Sequence, residues 1–117
     1  MATIVVFGIP NCDSTKMALT WFKGNDLPVR FHDYKISGIT EEKLSAWSKK
    51  KTWEAILNKK STTWRSIPTD QQEKITNQSA AIALMLEHNS IIKRPIVEYG
   101  EELLIGFDES EYKKTFE

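Results

Sequence analysis

The stretch Thr3-Ile4-Val5-Val6-Phe7-Gly8-Ile9-Pro10-Asn11-Cys12-Asp13-Ser14 decides the fold. Its first five residues are β-branched or apolar and are closed by Gly8 and Pro10, the pattern of a buried strand. Asn11, Cys12, Asp13 and Ser14 are cap-type residues at the start of a helical pattern. Met17, Ala18, Trp21 and Phe22 then fall on one face of that helix. Gly24 and Asn25 stop it, and Pro28 prevents its continuation. The next run, Val29 to Tyr34, alternates Val29, Phe31 and Asp33 against Arg30, His32 and Tyr34, which gives a second strand with a solvated face. A strand, a helix and a strand this close together form a βαβ unit, so the two strands are expected to be parallel.

Downstream the period changes. From Thr40 to His88 the spacing is helical, with Leu44 and Trp47, then Trp53, Ile56 and Leu57, then Ala80, Ala81, Leu84 and Met85. Residues 40–88 therefore read as an all-helical insert of several short helices, with Lys59 to Pro68 as a polar loop or a short helical turn between them. Arg94-Pro95 leads into Ile96-Val97-Glu98-Tyr99. Gly100 turns the chain into Leu103-Leu104-Ile105, an antiparallel hairpin. Asp108 caps a last helix that carries Tyr112 and Phe116. The assembled order, βαβ then ββα around a mixed four-stranded sheet, is an α/β thioredoxin-like arrangement interrupted by helices. Residues 1–117 are expected to form one such domain.

The 117 residues suffice for one hydrophobic core, and 40% of them are hydrophobic, as a folded chain requires. Sixteen basic residues balance sixteen acidic ones, so the net charge supplies no steering field and no direct nucleic-acid binding is expected. A single cysteine cannot close an internal disulfide, and a reducing, cytoplasmic setting fits that count. The opening residues lack a signal-peptide pattern, and no apolar run reaches membrane-spanning length, so no membrane partner is expected.

Cys12 stands where the first strand ends and the first helix begins. Helix-terminal N–H groups and the helix dipole favour an anion there, so the cysteine is read as a reactive thiolate rather than a small core hydrophobe. Asp13 opposes the thiolate unless it turns away to cap the helix, and Lys16 offsets it. Arg94 precedes a proline, which holds it extended. Its guanidinium suits either a carboxylate or oxyanion clamp or a structural ion pair. Lys59, Lys60 and Arg65, with Thr62, Thr63 and Trp64, form either a wall for an anionic ligand or the solvated exterior of a loop. His32 and His88 have no ligand-spaced partners, so no metal site is expected.

The segments Phe7-Gly8-Ile9-Pro10-Asn11-Cys12-Asp13 with Lys16, Phe31-His32-Asp33-Tyr34, Leu57 through Arg65, Ile91-Ile92-Lys93-Arg94-Pro95-Ile96 and Gly106-Phe107 occur together and in order. In this the chain resembles the arsenate reductase-like family that also includes the Spx-type regulators, and it is most similar to the YffB-type branch. The resemblance implies a thioredoxin-like fold with a helical insert, a catalytic cysteine at Cys12 and a cis proline at Pro95. Arsenate reductases of the family hold the oxyanion with three arginines. One corresponds to Arg94, but the others fall at Asn58 and near Gly106, which weakens arsenate as a substrate. The two-cysteine switch of Spx-type regulators has no counterpart, because Thr15 stands three residues after Cys12.

These readings lead to a monothiol oxidoreductase exchanging disulfides through Cys12, with no bound cofactor and glutathione as co-substrate. Cys12 and Arg94 are the expected catalytic residues. Asn11, Lys16, Asn58, Lys59, Lys60, Arg65 and Pro95 are the expected residues for binding substrate or glutathione. Glutaredoxin is a possible partner. The alternatives are an arsenate reductase using glutathione and glutaredoxin, and a non-enzymatic Spx-like adaptor binding RNA polymerase.

Overall fold

In the computed structural model, which describes residues 3–117, the opening stretch forms strand β1, Ile4–Gly8, followed by helix α1, Asp13–Gly24. Strand β2, Val29–Asp33, comes next and pairs in parallel with β1, with Gly8 opposite Asp33. The chain then passes through helices α2 (Tyr34–Ser37), α3 (Glu41–Lys51), α4 (Trp53–Ile56), α5 (Thr62–Ser66), α6 (Thr69–Gln72) and α7 (Gln78–Glu87), ending in a 3-10 turn at Asn89–Ile91. Strands β3, Ile96–Tyr99, and β4, Glu102–Ile105, form the hairpin, and α8, Glu109–Phe116, closes the described chain. The sheet order is β2-β1-β3-β4, with β3 antiparallel to both neighbours. This is a mixed four-stranded sheet with a helical insert, a thioredoxin-like α/β fold.

Two compact units make up the molecule: residues up to Ser37 together with Arg94–Glu117, and the stretch Gly38–Lys93. In the first unit, Ile4, Val6, Val97 and Leu104 of the sheet share a buried cluster with Ala18 and Phe22 of α1 and Tyr112 of α8. Alternation along the strands explains the set, since residues two apart point to the same face. Asp108 accepts a hydrogen bond from the amide of Glu111 and so caps α8, as the sequence suggests. In the second unit, α3, α4 and α7 pack on one another, with Leu44, Trp47, Ile56, Ala81, Ile82 and Met85 buried.

The structure departs from the sequence reading in three places. The buried face of α1 is Thr15, Ala18 and Phe22, while Met17 is 49% exposed. The helix is phased so that positions three and four apart, including the polar Thr15, meet the sheet. Tyr34 does not extend the second strand: it opens α2 and is buried. The Asp33 carboxylate accepts a hydrogen bond from the amide of Lys35, an Asx-type contact that turns the chain out of the strand. Finally, the cap position of α1 belongs to Cys12 and not to Asp13, which is the first helical residue and exposed.

Candidate active site

The carboxyl end of β1 lies against the first turn of α1. A Cβ placed on Gly8 would come within 2.6 Å of the Thr15 hydroxyl oxygen, so the residue there must be glycine for strand and helix to meet this closely. Cys12 caps the helix in an extended conformation, with φ −97° and ψ 126°. Its amide donates to the carbonyl of Ile9 at 3.3 Å, and its carbonyl accepts from the amide of Lys16 at 2.9 Å. These two bonds fix the backbone around the sulfur and leave the thiol half-buried.

Burial acts on that thiol to raise its pKa, and it is the largest single influence. Opposing it are hydrogen bonds from the backbone N–H and the hydroxyl of Thr15, then a hydrogen bond from the Arg94 side chain and the attraction of its charge. Together they win, and the thiol lies below its ordinary value. Thr15 is wholly buried, and among the described residues its hydroxyl finds no partner of full hydrogen-bond geometry. A buried hydroxyl without a partner costs about 1–3 kcal/mol, so a thiolate within reach is a strong acceptor for it.

Sheet register explains why Arg94 is there. Phe7 pairs with Ile96 in antiparallel register, so Arg94, two residues before Ile96, lies at the end of the sheet where β1 passes through Ile9 toward Cys12. The Arg94-Pro95 peptide bond is cis, as expected, and the carbonyl of Pro95 accepts from the amide of Gly106 at 2.7 Å. Gly106 has φ +80°, a conformation that favours glycine over arginine. At the same end of the sheet Tyr34 is buried, its hydroxyl without a partner among the described residues, and its ring stacks on Phe7 with centroids 6.5 Å apart. Burial pushes its phenol well up, against the opposing attraction of Arg94. His32 packs on Phe7 with ring centroids 4.8 Å apart.

The structure thus brings Cys12 and Arg94 together and adds Thr15, which sequence reasoning used only to exclude a second cysteine. A signal for it was available: a threonine in phase with the apolar positions Ala18 and Phe22, one turn past a cysteine. Asn11 and Lys16 are exposed on either side of Cys12, and Pro95 is buried at the start of β3. Asn58, Lys59, Lys60 and Arg65 belong to the second unit and build a turn of their own. The Asn58 side-chain oxygen accepts from the amide of Lys60 at 3.1 Å, and Ser61 donates its hydroxyl to the carbonyl of Asn58 and caps α5 by accepting from Trp64. The ammonium of Lys59 sits 5.7 Å from the centre of the Trp64 ring, and Lys60 and Arg65 are exposed. Among the described residues, no cluster of three or more His, Cys, Asp or Glu side chains is placed to hold a metal ion. No helix among them is long and apolar enough to cross a membrane.

Residues 7–115 match the model of the ArsC family. The chain belongs to the ArsC family. It superposes on the solved structure of a YffB protein with a TM-score of 0.94 and 37% identity, covering 98% of this chain and 100% of that one. It is also 35% identical to an uncharacterized protein of Haemophilus influenzae, covering 97% of this ArsC-family chain and 98% of the relative. A global transcriptional regulator Spx of Streptococcus mutans is 25% identical over 113 residues, 94% of this chain and 80% of the regulator.

Proposed function

We propose that this protein is a monothiol oxidoreductase in which the Cys12 thiolate attacks a disulfide and glutathione regenerates the thiol. The observation that carries the proposal is the place of Cys12 as the extended N-cap of α1, beyond the end of the inner strand β1, where Thr15 and Arg94 lower its thiol. The thiolate is the attacking species in disulfide exchange, and a lowered pKa enlarges its share near neutral pH. The chain has no second cysteine. The mixed disulfide on Cys12 is therefore resolved from outside, by glutathione as co-substrate or by a glutaredoxin, in a reducing, cytoplasmic setting.

Arg94 serves twice in this scheme, holding the thiolate before attack and meeting a carboxylate of the incoming thiol. Asn11 and Lys16 flank the sulfur on the exposed side and complete the proposed contact surface, with Pro95 behind Arg94. Asn58, Lys59, Lys60 and Arg65 belong to the second unit, where the Asn58 side-chain oxygen is committed to its own turn, and they form no part of this proposed surface. Arsenate reduction is disfavoured by the residues present, since Asn58 and Gly106, standing where the family's arsenate reductases carry arginine, supply no guanidinium. The regulatory reading, an adaptor binding RNA polymerase with Cys12 as a sensor, draws on the likeness to the Spx regulator.

The test is turnover of a small disulfide with glutathione, followed as glutathione disulfide formed, with mass spectrometry of the trapped adduct. The unaltered protein is expected to form a Cys12 mixed disulfide and turn over, and Cys12→Ser to do neither. Turnover that survives Cys12→Ser, or an unaltered protein that never forms the adduct, would remove the proposal.

A further inference from the structure

Three groups act on the Cys12 sulfur, and their chemistry is unequal. The Thr15 backbone N–H, the Thr15 hydroxyl and the Arg94 side chain all donate to it. An N–H and a guanidinium can only donate, whereas a hydroxyl has one proton to give and lone pairs that accept. The Thr15 hydroxyl is therefore the acceptor of this set. It is wholly buried, and Gly8 closes one side of it: a Cβ there would lie 2.6 Å from its oxygen and 3.0 Å from its methyl carbon. Among the described residues it finds no partner of full hydrogen-bond geometry, so its lone pairs are open to an atom that joins the sulfur.

We propose that Cys12 also reduces hydroperoxides, with Thr15 accepting from the peroxide O–H and Arg94 meeting the oxygen that leaves. The proposal rests on the glutathione-resolved thiolate proposed above and adds a second class of oxidant. Two features of the constellation exceed what disulfide exchange needs. In a disulfide the atom that a thiolate bonds to is a bare sulfur, which brings no proton, so an acceptor beside Cys12 has nothing to accept. In a hydroperoxide that atom is an O–H, and the Thr15 oxygen can accept from it while its own proton stays on the sulfur. The leaving groups differ as well. A thiolate, whose thiol has a pKa of about 8.5, departs unaided, whereas hydroxide derives from water with a pKa of about 15.7. A fixed guanidinium beside the sulfur supplies the positive charge that the second departure requires.

The reaction balances in three steps. The Cys12 thiolate bonds to the terminal peroxide oxygen, which keeps its hydrogen, and the O–O bond breaks. The other oxygen leaves as alkoxide or hydroxide and takes a proton from solvent, so Cys12 becomes a sulfenic acid and the peroxide an alcohol or water. One glutathione thiolate then bonds to the Cys12 sulfur, and the sulfenic oxygen leaves as water after taking a proton. A second glutathione frees the Cys12 thiolate, so that two glutathiones become glutathione disulfide as one hydroperoxide becomes an alcohol and water.

The experiment measures two rates for Cys12 at one pH. One is oxidation by hydrogen peroxide, followed by mass spectrometry with a cyclic dione trapping the sulfenic acid. The other is alkylation by a neutral reagent, and the ratio of the two cancels the thiolate fraction. The unaltered protein is expected to exceed the ratio of free glutathione by on the order of 100-fold. In Thr15→Val the ratio is expected to fall roughly tenfold, the worth of one hydrogen bond to the reacting atoms. Thr15→Ser is expected to return it to within about threefold of the parent, because the hydroxyl is restored. A ratio in the unaltered protein equal to that of free glutathione would overturn the proposal, and that measurement needs no variant to fold. A ratio that Thr15→Val leaves unchanged, or that Thr15→Ser fails to restore, would overturn it too. Adduct formation with glutathione disulfide, measured alongside, separates the two functions. A protein that forms this adduct but meets peroxide as a free thiol does loses only the peroxide chemistry, and one that forms neither product loses both.

Discussion

The first turn of α1 and the Asn58–Arg65 turn of the helical insert look alike as strings of residues. Each places amide, hydroxyl and basic side chains around a helix start, and each is a candidate site. Their hydrogen bonding separates them. In the insert, the Asn58 oxygen and the Ser61 hydroxyl are spent on their own backbone, and the Lys59 ammonium lies over Trp64. At α1 no side chain caps the helix, and the Thr15 hydroxyl is buried with the Cys12 sulfur as its available acceptor. Polar groups satisfied within a turn stabilise that turn, whereas buried polar groups left over are available to chemistry.

The strongest test of this contrast is Gly8→Ala, which sets a methyl group 2.6 Å from the Thr15 hydroxyl oxygen. Overpacking of this kind costs about 1–3 kcal/mol, and denaturant unfolding is expected to show it. Gly8→Ala combined with Thr15→Ala removes the clash and is expected to recover much of the loss. A double variant no more stable than Gly8→Ala would show that the strand–helix contact is not what requires glycine.

Next in size is Arg94→Ala, read as alkylation of Cys12 by a neutral reagent across pH. In the unaltered protein the midpoint is expected below that of an ordinary thiol, because the folded state releases the proton early. The corresponding stability is present above the unfolded thiol's pKa and is lost as pH falls through the folded one. Removing Arg94 takes away both its hydrogen bond and its charge. The midpoint is expected to rise, with alkylation near pH 6.5 roughly tenfold slower. An unchanged midpoint would detach Arg94 from the site.

Ser61→Ala probes the other region. It deletes a helix cap, so a loss of about 1 kcal/mol is expected, with the alkylation profile of Cys12 unaltered. A changed profile would mean that the two turns act as one site. The smallest effect is expected from Thr15→Val, which keeps the shape and removes the donor. The Cys12 midpoint is expected to rise, with alkylation near neutral pH slowed by roughly threefold, while stability holds or improves slightly because a buried hydroxyl is gone. A pH profile identical to the parent's would assign the lowered thiol to the Thr15 backbone and Arg94 alone.

Local patterns were enough to read the order of elements. The β-branched run of β1, the alternation in β2, the Gly100 turn and the Asp108 cap each depend on neighbours a few residues away, so their meaning survives without tertiary structure. Cys12 was legible for the same reason, as a thiol at a strand-to-helix junction. The burial of Thr15 rather than Met17 was not legible, because the rotation of α1 about its axis is set by what the sheet can accommodate, and Gly8 admits only a close, small-faced approach. Nor could sequence spacing show that the Asn58 oxygen is already spent, or that Tyr34 leaves the strand and is buried. The pairing of Cys12 with Arg94 spans 82 positions between residue 12 and residue 94, and the antiparallel β1–β3 register brings them to one end of the sheet. The sequence alone determined which residues carry reactive groups, because that is local chemistry. Only the tertiary structure decided which of those groups face one another, because long-range register and helix phase are set by packing the whole sheet at once.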